Sequence, residues 1–191
     1  MELKHLTQKK NKTMLPLKEA IQQKHTQAER MPFNARMFRG ELSKKEYLFY
    51  LHQQASIFQC IEEHKIPQMH PKLKRLENVF ADIHELQKEV SDKFPSLEST
   101  KNYGIYLESL TDDRILAHIY LNYLALMFGG QMMKSKVPGS GKMYEFENQM
   151  ELVGSIRAFQ KDEMADEANK ALDYNIAILD ELQRVSESFS E

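Results

Sequence analysis

Two groups of residues in this 191-residue chain have the types and spacing to do chemistry. His25 lies in Lys24-His25-Thr26-Gln27-Ala28-Glu29, and on a helix Glu29, four residues on, shares its face. A neutral imidazole there can ligate iron through one nitrogen while the carboxylate orients the other. Much later, Phe128-Gly129-Gly130-Gln131 interrupts an apolar helical run. Each glycine costs a helix about 1 kcal/mol against alanine, so the pair needs a compensating reason. Either a bare backbone lies against a flat cofactor, or a neighbouring helix packs closely through small residues. Each group also has a plain reading. Most histidines are surface or satisfied core residues, and Met127, Met132 and Met133 are the kind of side chain that fills core gaps.

Helices must position these groups. Seven glycines and six prolines punctuate the chain, and no alternating strand pattern of useful length occurs. The expected fold class is all-α: a single-domain compact helical bundle over residues 14–186, with a flexible segment at 1–13 and a tail at 187–191. Leu15, Leu17, Ala20 and Ile21 precede His25 and place it at the boundary between an apolar face and solvent. Ser43-Lys44-Lys45-Glu46 has the form of a capping box, opening a helix with Tyr47, Leu48, Leu51, Ala55, Phe58 and Ile61 inward and ending before Pro67. A second helix is expected over 72–91, with Phe80 on its apolar face, and a short one over 102–110. Thr111-Asp112-Asp113 can cap an apolar helix over 114–133, broken at the glycine pair. Pro138-Gly139-Ser140-Gly141 makes a loop, and helices over 149–161 and 162–186 complete the bundle.

Composition excludes several functions. A net charge of −2 provides no global basic field for nucleic acid or an anionic membrane. Cys60, the single cysteine, excludes an intramolecular disulfide and an all-cysteine metal cage, which favours a reducing, cytoplasmic setting. The first residues lack the apolar core of a signal peptide, and no stretch is long and apolar enough to span a bilayer. Asn11-Lys12-Thr13 is then an accidental glycosylation triplet. The two Glu-x-x-His motifs that a di-iron centre needs are not both present. Pro138-Gly139-Ser140-Gly141-Lys142 is no phosphate loop, because the first glycine of that motif is missing and Met143 stands where it needs serine or threonine. Asp162, Glu163, Asp166 and Glu167 read as a solvated acidic face.

Three segments together resemble the haem oxygenases, an all-helical, biliverdin-forming family. Leu17-Lys18-Glu19-Ala20 leading to His25 and Glu29 resembles the helix with the iron-ligating histidine. His118-Ile119-Tyr120, Tyr123-Leu124 and Gly129-Gly130-Gln131 resemble the distal helix. Ala171-Leu172-Asp173-Tyr174-Asn175-Ile176 resembles the helix that adds an asparagine to the distal hydrogen-bond network. The similarity covers most of residues 14–184. It implies haem, at once substrate and cofactor, sandwiched between the helix bearing His25 and the glycine-bent helix. Haem would be cleaved to biliverdin, carbon monoxide and ferrous iron using O2. The electrons would come from an external donor, a reductase or a ferredoxin- or flavodoxin-like protein, since the chain has no flavin or nicotinamide fold. Gly129 and Gly130 would leave one porphyrin edge open to attack. Lys18, Tyr120 and Arg157 match the residues that hold the propionates, with Lys24 as a substitute. Lys9, Lys10, Lys12 and Lys24 are candidates for donor docking.

One departure stands out. Three residues before the glycine pair, where the family carries an aspartate or, in plant-type members, a histidine, this chain has Leu126. Without that acceptor, proton delivery should weaken unless Asn122, Asn175 or Gln131 replaces it. The rival expectation is therefore a haem-binding sensor or carrier that keeps the sandwich without turnover. A third kind of relative, sharing the bundle but acting on another small molecule as thiaminase-like proteins do, would have no use for the imidazole of His25.

Overall fold

Ser43 and Glu46 form the expected capping box in the computed structural model, which describes residues 13–65 and 69–190. The Ser43 hydroxyl accepts from Glu46 N at 3.1 Å and the Glu46 carboxylate accepts from Ser43 N at 2.8 Å. From this start α4 (Lys44–Glu62) runs through the centre of an all-helical bundle. Before it come α1 (Leu17–Ala20), α2 (Gln22–Arg30) and α3 (Pro32–Phe38). After it come α5 (Leu76–Leu86), α6 (Glu98–Ser109), α7 (Ile115–Met127), α8 (Gly130–Met133), α9 (Gln149–Arg157) and α10 (Ala165–Ser186). No strand occurs among the described residues. Pro67, expected to follow the end of α4, and the candidate docking residues Lys9, Lys10 and Lys12 lie outside those residues.

Helix α10 packs along α7, α2, α3 and α6, while α4 packs against α5 and α6. The shared core holds Tyr47, Leu51, Phe58, Tyr103, Tyr123 and Leu182. Burying each such large side chain contributes roughly 1.5–3 kcal/mol, which far exceeds the few tenths per residue that helix propensity supplies.

Polar side chains of one helix also cap the start of another, and this sets the boundaries that local sequence misjudges. Glu62 at the end of α4 accepts from the backbone amides of Arg75 and Leu76, so α5 begins at Leu76. The expected helix over 72–91 is correspondingly shorter, and Phe80 is half exposed. Gln53 accepts from Leu97 N at 3.0 Å, and Glu181 of α10 accepts from Glu98 N at 2.7 Å. These contacts start α6 at Glu98, four residues before the expected point. Asp112 accepts from Arg114 N at 3.1 Å ahead of α7. Beyond α10, Phe189 packs on Phe49 and Phe94.

Candidate functional site

A cavity of about 620 Å³ opens between α2, α3, α4, α7 and α10, within the roughly 300–1,000 Å³ of small-molecule sites. Ten of the residues singled out from the sequence line it: Lys18, His25, Glu29, Tyr120, Asn122, Leu126, Gly129, Gly130, Arg157 and Asn175. Much of the remaining wall is apolar, including Ile21, Met37, Leu121, Leu124, Leu172 and Ile178.

His25 is delivered by α2, one turn after Ile21, whose carbonyl accepts from His25 N at 3.0 Å. Its Nδ1 lies 3.5 Å from Glu29 Oε1, the four-residue spacing read from sequence. With Nδ1 turned to the carboxylate, Nε2 is the nitrogen left for a ligand. Among the described residues no three His, Cys, Asp or Glu side chains gather at metal-binding distance.

The glycine pair divides into two different problems. Helix α7 ends at Met127, Phe128 departs from helical geometry at ψ −73°, and α8 resumes at Gly130. A Cβ on Gly130 would meet Tyr144 Cδ1 at 2.5 Å and Cε1 at 2.9 Å, so Gly130 exists for close packing on a tyrosine ring. A Cβ on Gly129 would meet nothing nearer than the Ala125 carbonyl at 3.5 Å, and this exposed backbone borders the cavity. Close packing therefore accounts for Gly130, against a tyrosine ring rather than small residues of a helix, while the backbone at Gly129 is left open to the cavity.

Tyr144 is itself held in place. Asp82, buried on α5, accepts from the amides of Lys142 and Met143 at 2.9 Å each, and Gln131 Nε2 donates to Tyr144 O at 2.7 Å. Gln149 Nε2 donates to Met127 O at 2.8 Å, satisfying a carbonyl at the helix break. Gln131 is thus turned away from the cavity and belongs to this support, which corrects its candidacy for the distal network.

Asn122 and Asn175 come together, Asn175 Nδ2 donating to Asn122 Oδ1 at 3.2 Å. Asn122 Nδ2 donates to Tyr103 OH at 3.1 Å, and Tyr103 OH lies 2.7 Å from His118 Nδ1. His118 Nε2 lies 2.9 Å from Glu167 Oε1, which also accepts from Tyr106 OH. Glu167 is therefore no solvated residue, which corrects the acidic-face reading there, whereas Asp162 stays exposed while accepting from Leu17 N at 2.9 Å. Burial alone would push the Glu167 carboxyl up, but the hydrogen bonds from Tyr106 and His118, with the His118 and Lys170 charges, outweigh it and hold it below the usual range. Burial pushes the His118 imidazole down, only partly opposed by Glu167. Sequence reasoning missed Tyr103, His118 and Glu167 as a unit. The four-residue step from His118 to Asn122 was the available signal, whereas Glu167 gave none.

At the rim, Lys18, Tyr120 and Arg157 face the same opening. Burial raises the Tyr120 phenol and the nearby Arg157 guanidinium draws it back. Arg157 also donates to Gln160 at 2.9 Å. Lys24 is engaged elsewhere, its ammonium 2.6 Å from Asp173, and it does not line the cavity, which removes it as a substitute for the rim.

The comparisons agree with this architecture. The Heme oxygenase family model matches residues 12–151. A search of the curated proteins finds no match. Among solved structures, heme oxygenase-1 from the cyanobacterium Synechocystis, in complex with heme, superposes with a TM-score of 0.74 at 19% identity, covering 91% of this chain and 94% of that one. The heme oxygenase of Leptospira interrogans gives 0.71 at 20% identity over 86% and 97%. Synechocystis heme oxygenase-2, in complex with heme and NO, gives 0.74 at 19% identity over 90% and 85%. With a family model matched over most of its length and the same all-helical fold, this chain belongs to the heme oxygenase family.

Proposed function

We propose that the protein is a haem oxygenase that binds haem through His25 and cleaves it, with O2 and externally supplied electrons, to biliverdin, carbon monoxide and ferrous iron. The observation that carries this reading is the convergence of an imidazole on α2 and bare backbone at Gly129 on one cavity of suitable size. The residues present fit the group. Nε2 of His25 would be the nitrogen that holds the iron, with Glu29 3.5 Å from Nδ1 on the other side of the ring, and the open position at Gly129 would admit a flat ring. Haem when bound supplies the iron for oxygen activation and the porphyrin edge that is oxidised. Lys18, Tyr120 and Arg157 orient the propionates, with Arg157 suited to a bidentate carboxylate contact. Leu121, Leu124 and Leu126 exclude water from the ring faces. The electron donor is a separate redox protein. A cytoplasmic location belongs to the same proposal and is supported by the free Cys60.

Leu126 favours a second reading. It is buried in the cavity wall at the position of the family's distal acid, so the cavity suits a haem sensor or carrier as well as an enzyme. One experiment separates the two. Purified protein titrated with haem is expected to give a stoichiometric histidine-ligated Soret band, which ascorbate or a reductase with O2 converts to bilin absorption. A haem complex that stays intact under those conditions identifies the carrier, and absence of stoichiometric haem uptake refutes both readings.

A further inference from the structure

The two distal asparagines face the cavity with a defined polarity. Both hydrogens of Asn122 Nδ2 are committed, to Tyr103 OH at 3.1 Å and to the His118 main-chain carbonyl at 2.8 Å. Both hydrogens of Asn175 Nδ2 are likewise committed, to Asn122 Oδ1 at 3.2 Å and to the Ala171 carbonyl at 2.9 Å. Turning either amide over would set its oxygen against a carbonyl oxygen at less than 3 Å. What remains for the cavity is lone pairs, those of Asn175 Oδ1 and the second pair of Asn122 Oδ1.

The polarity continues outward. Tyr103 OH accepts from Asn122, so its own hydrogen must go to His118 Nδ1 at 2.7 Å. His118 then carries its proton on Nε2 and donates to Glu167 Oε1 at 2.9 Å. A doubly protonated ring would leave the Tyr103 hydrogen without an acceptor, and the ring is fully buried, which favours its neutral form.

We propose that the Asn122–Asn175 pair is an acceptor-only element of the distal wall that retains ligands or water bearing a hydrogen next to the coordinated atom, and that Tyr103, His118 and Glu167 are the positioning residues that hold it in that sense. Such a wall performs with neutral amides the accepting task that Leu126 cannot. What the wall faces rests on the haem reading, but its polarity does not.

The haem-free protein tests the polarity directly. A nitrogen-15 correlation spectrum at neutral pH is expected to show His118 as the neutral tautomer protonated on Nε2, retained in Glu167→Gln, whose amide oxygen accepts the same bonds, and perturbed in Glu167→Leu. An Nδ1-protonated ring or an imidazolium overturns the proposal whatever haem does. In the haem-loaded ferric protein, methylamine carries hydrogens on its bound atom and azide is purely an acceptor. Asn175→Leu is expected to weaken methylamine about tenfold and azide less than about twofold. Tyr103→Phe frees one Asn122 hydrogen and is expected to narrow the preference for methylamine. Loss of azide affinity in either variant, with methylamine unchanged, shows that the wall donates and overturns the assignment. Failure of the protein to take up haem at all refutes the proposed function, and the nitrogen-15 spectrum then decides the polarity by itself.

Discussion

The wall that carries His25 and the wall that carries Asn122 are built by different means. No residue of α2 is buried, and the His25 and Glu29 side chains are 41% and 51% exposed. Ten of the thirteen residues of α7 are buried, with His118 fully enclosed. The distal wall is therefore made by folding itself, because its apolar residues form part of the core. The proximal wall is held from outside, by Lys24 on Asp173, by Asn169 Nδ2 donating to the Ala20 carbonyl at 3.2 Å, and by Asp162 on Leu17 N. The exposed Lys24–Asp173 pair contributes about 0–1 kcal/mol, and each of the two part-buried hydrogen bonds about 0.5–1.5 kcal/mol. The proposed iron ligand, His25, thus sits on the wall least able to resist distortion, and the asparagines proposed to face a bound ligand sit on the wall most able to.

His25→Ala breaks this comparison most severely. It is expected to abolish the histidine-ligated Soret band, while the haem-free protein, probed by thermal unfolding, changes by less than about 0.5 kcal/mol because the side chain is half exposed. Unchanged haem spectra in this variant would remove His25 from the site. Leu126→Asp acts on the opposite wall. The buried carboxyl is expected to destabilise the fold by roughly 1–3 kcal/mol and to raise bilin formation about tenfold or more by relaying protons, which the neutral asparagine amides cannot do. Turnover that is unchanged or lower would show that Leu126 does not limit proton delivery.

The glycines sharpen the contrast within one helix break. Gly130→Ala is expected to lose roughly 1–3 kcal/mol by denaturant titration, since its Cβ would overlap the Tyr144 ring at 2.5 Å. Gly129→Ala is expected to hold or gain up to about 1 kcal/mol from helix propensity and to alter the haem spectrum or the bilin isomer formed. Equal stability losses at both positions would contradict their separate roles.

The smallest effect is a pH dependence. His118 has a folded pKa below its unfolded value of about 6.5. The unfolded chain takes up a proton first as pH falls, so this contribution to stability is present above that value and is lost between it and the lower folded pKa. Glu167, also depressed in the folded state, contributes above its unfolded value of about 4.5 and loses that contribution as pH falls through the folded pKa. Melting temperatures measured from pH 7 downward are expected to fall less steeply in His118→Phe than in the parent chain.

Sequence was most legible where the signal is local. The Ser43 capping box, the turn through Gly139 and Gly141 at φ 81° and 63°, and the break at residues 128–129 all follow from residues within one or two turns of each other. Helix starts that depend on a distant cap were missed. Gln53, Glu62 and Glu181 fix the N-termini of α5 and α6 from other helices, and nothing near residues 76 or 98 encodes them. The acidic pattern around Glu167 misled for the same reason, because its partners Tyr106 and His118 lie more than forty residues away.

Residue order alone determined an all-helical chain, a histidine with a carboxylate one turn on, and a glycine pair that had to be compensated. Helical periodicity and propensity act over a few residues, so those features need no knowledge of the fold. Only the tertiary structure decided that Gly130 answers to a tyrosine ring while Gly129 stays open, that Asn122 meets Asn175, and that Glu167 orients a buried histidine. Hydrogen-bond direction and steric overlap depend on atoms brought within a few ångströms by packing, and no spacing along the chain specifies them.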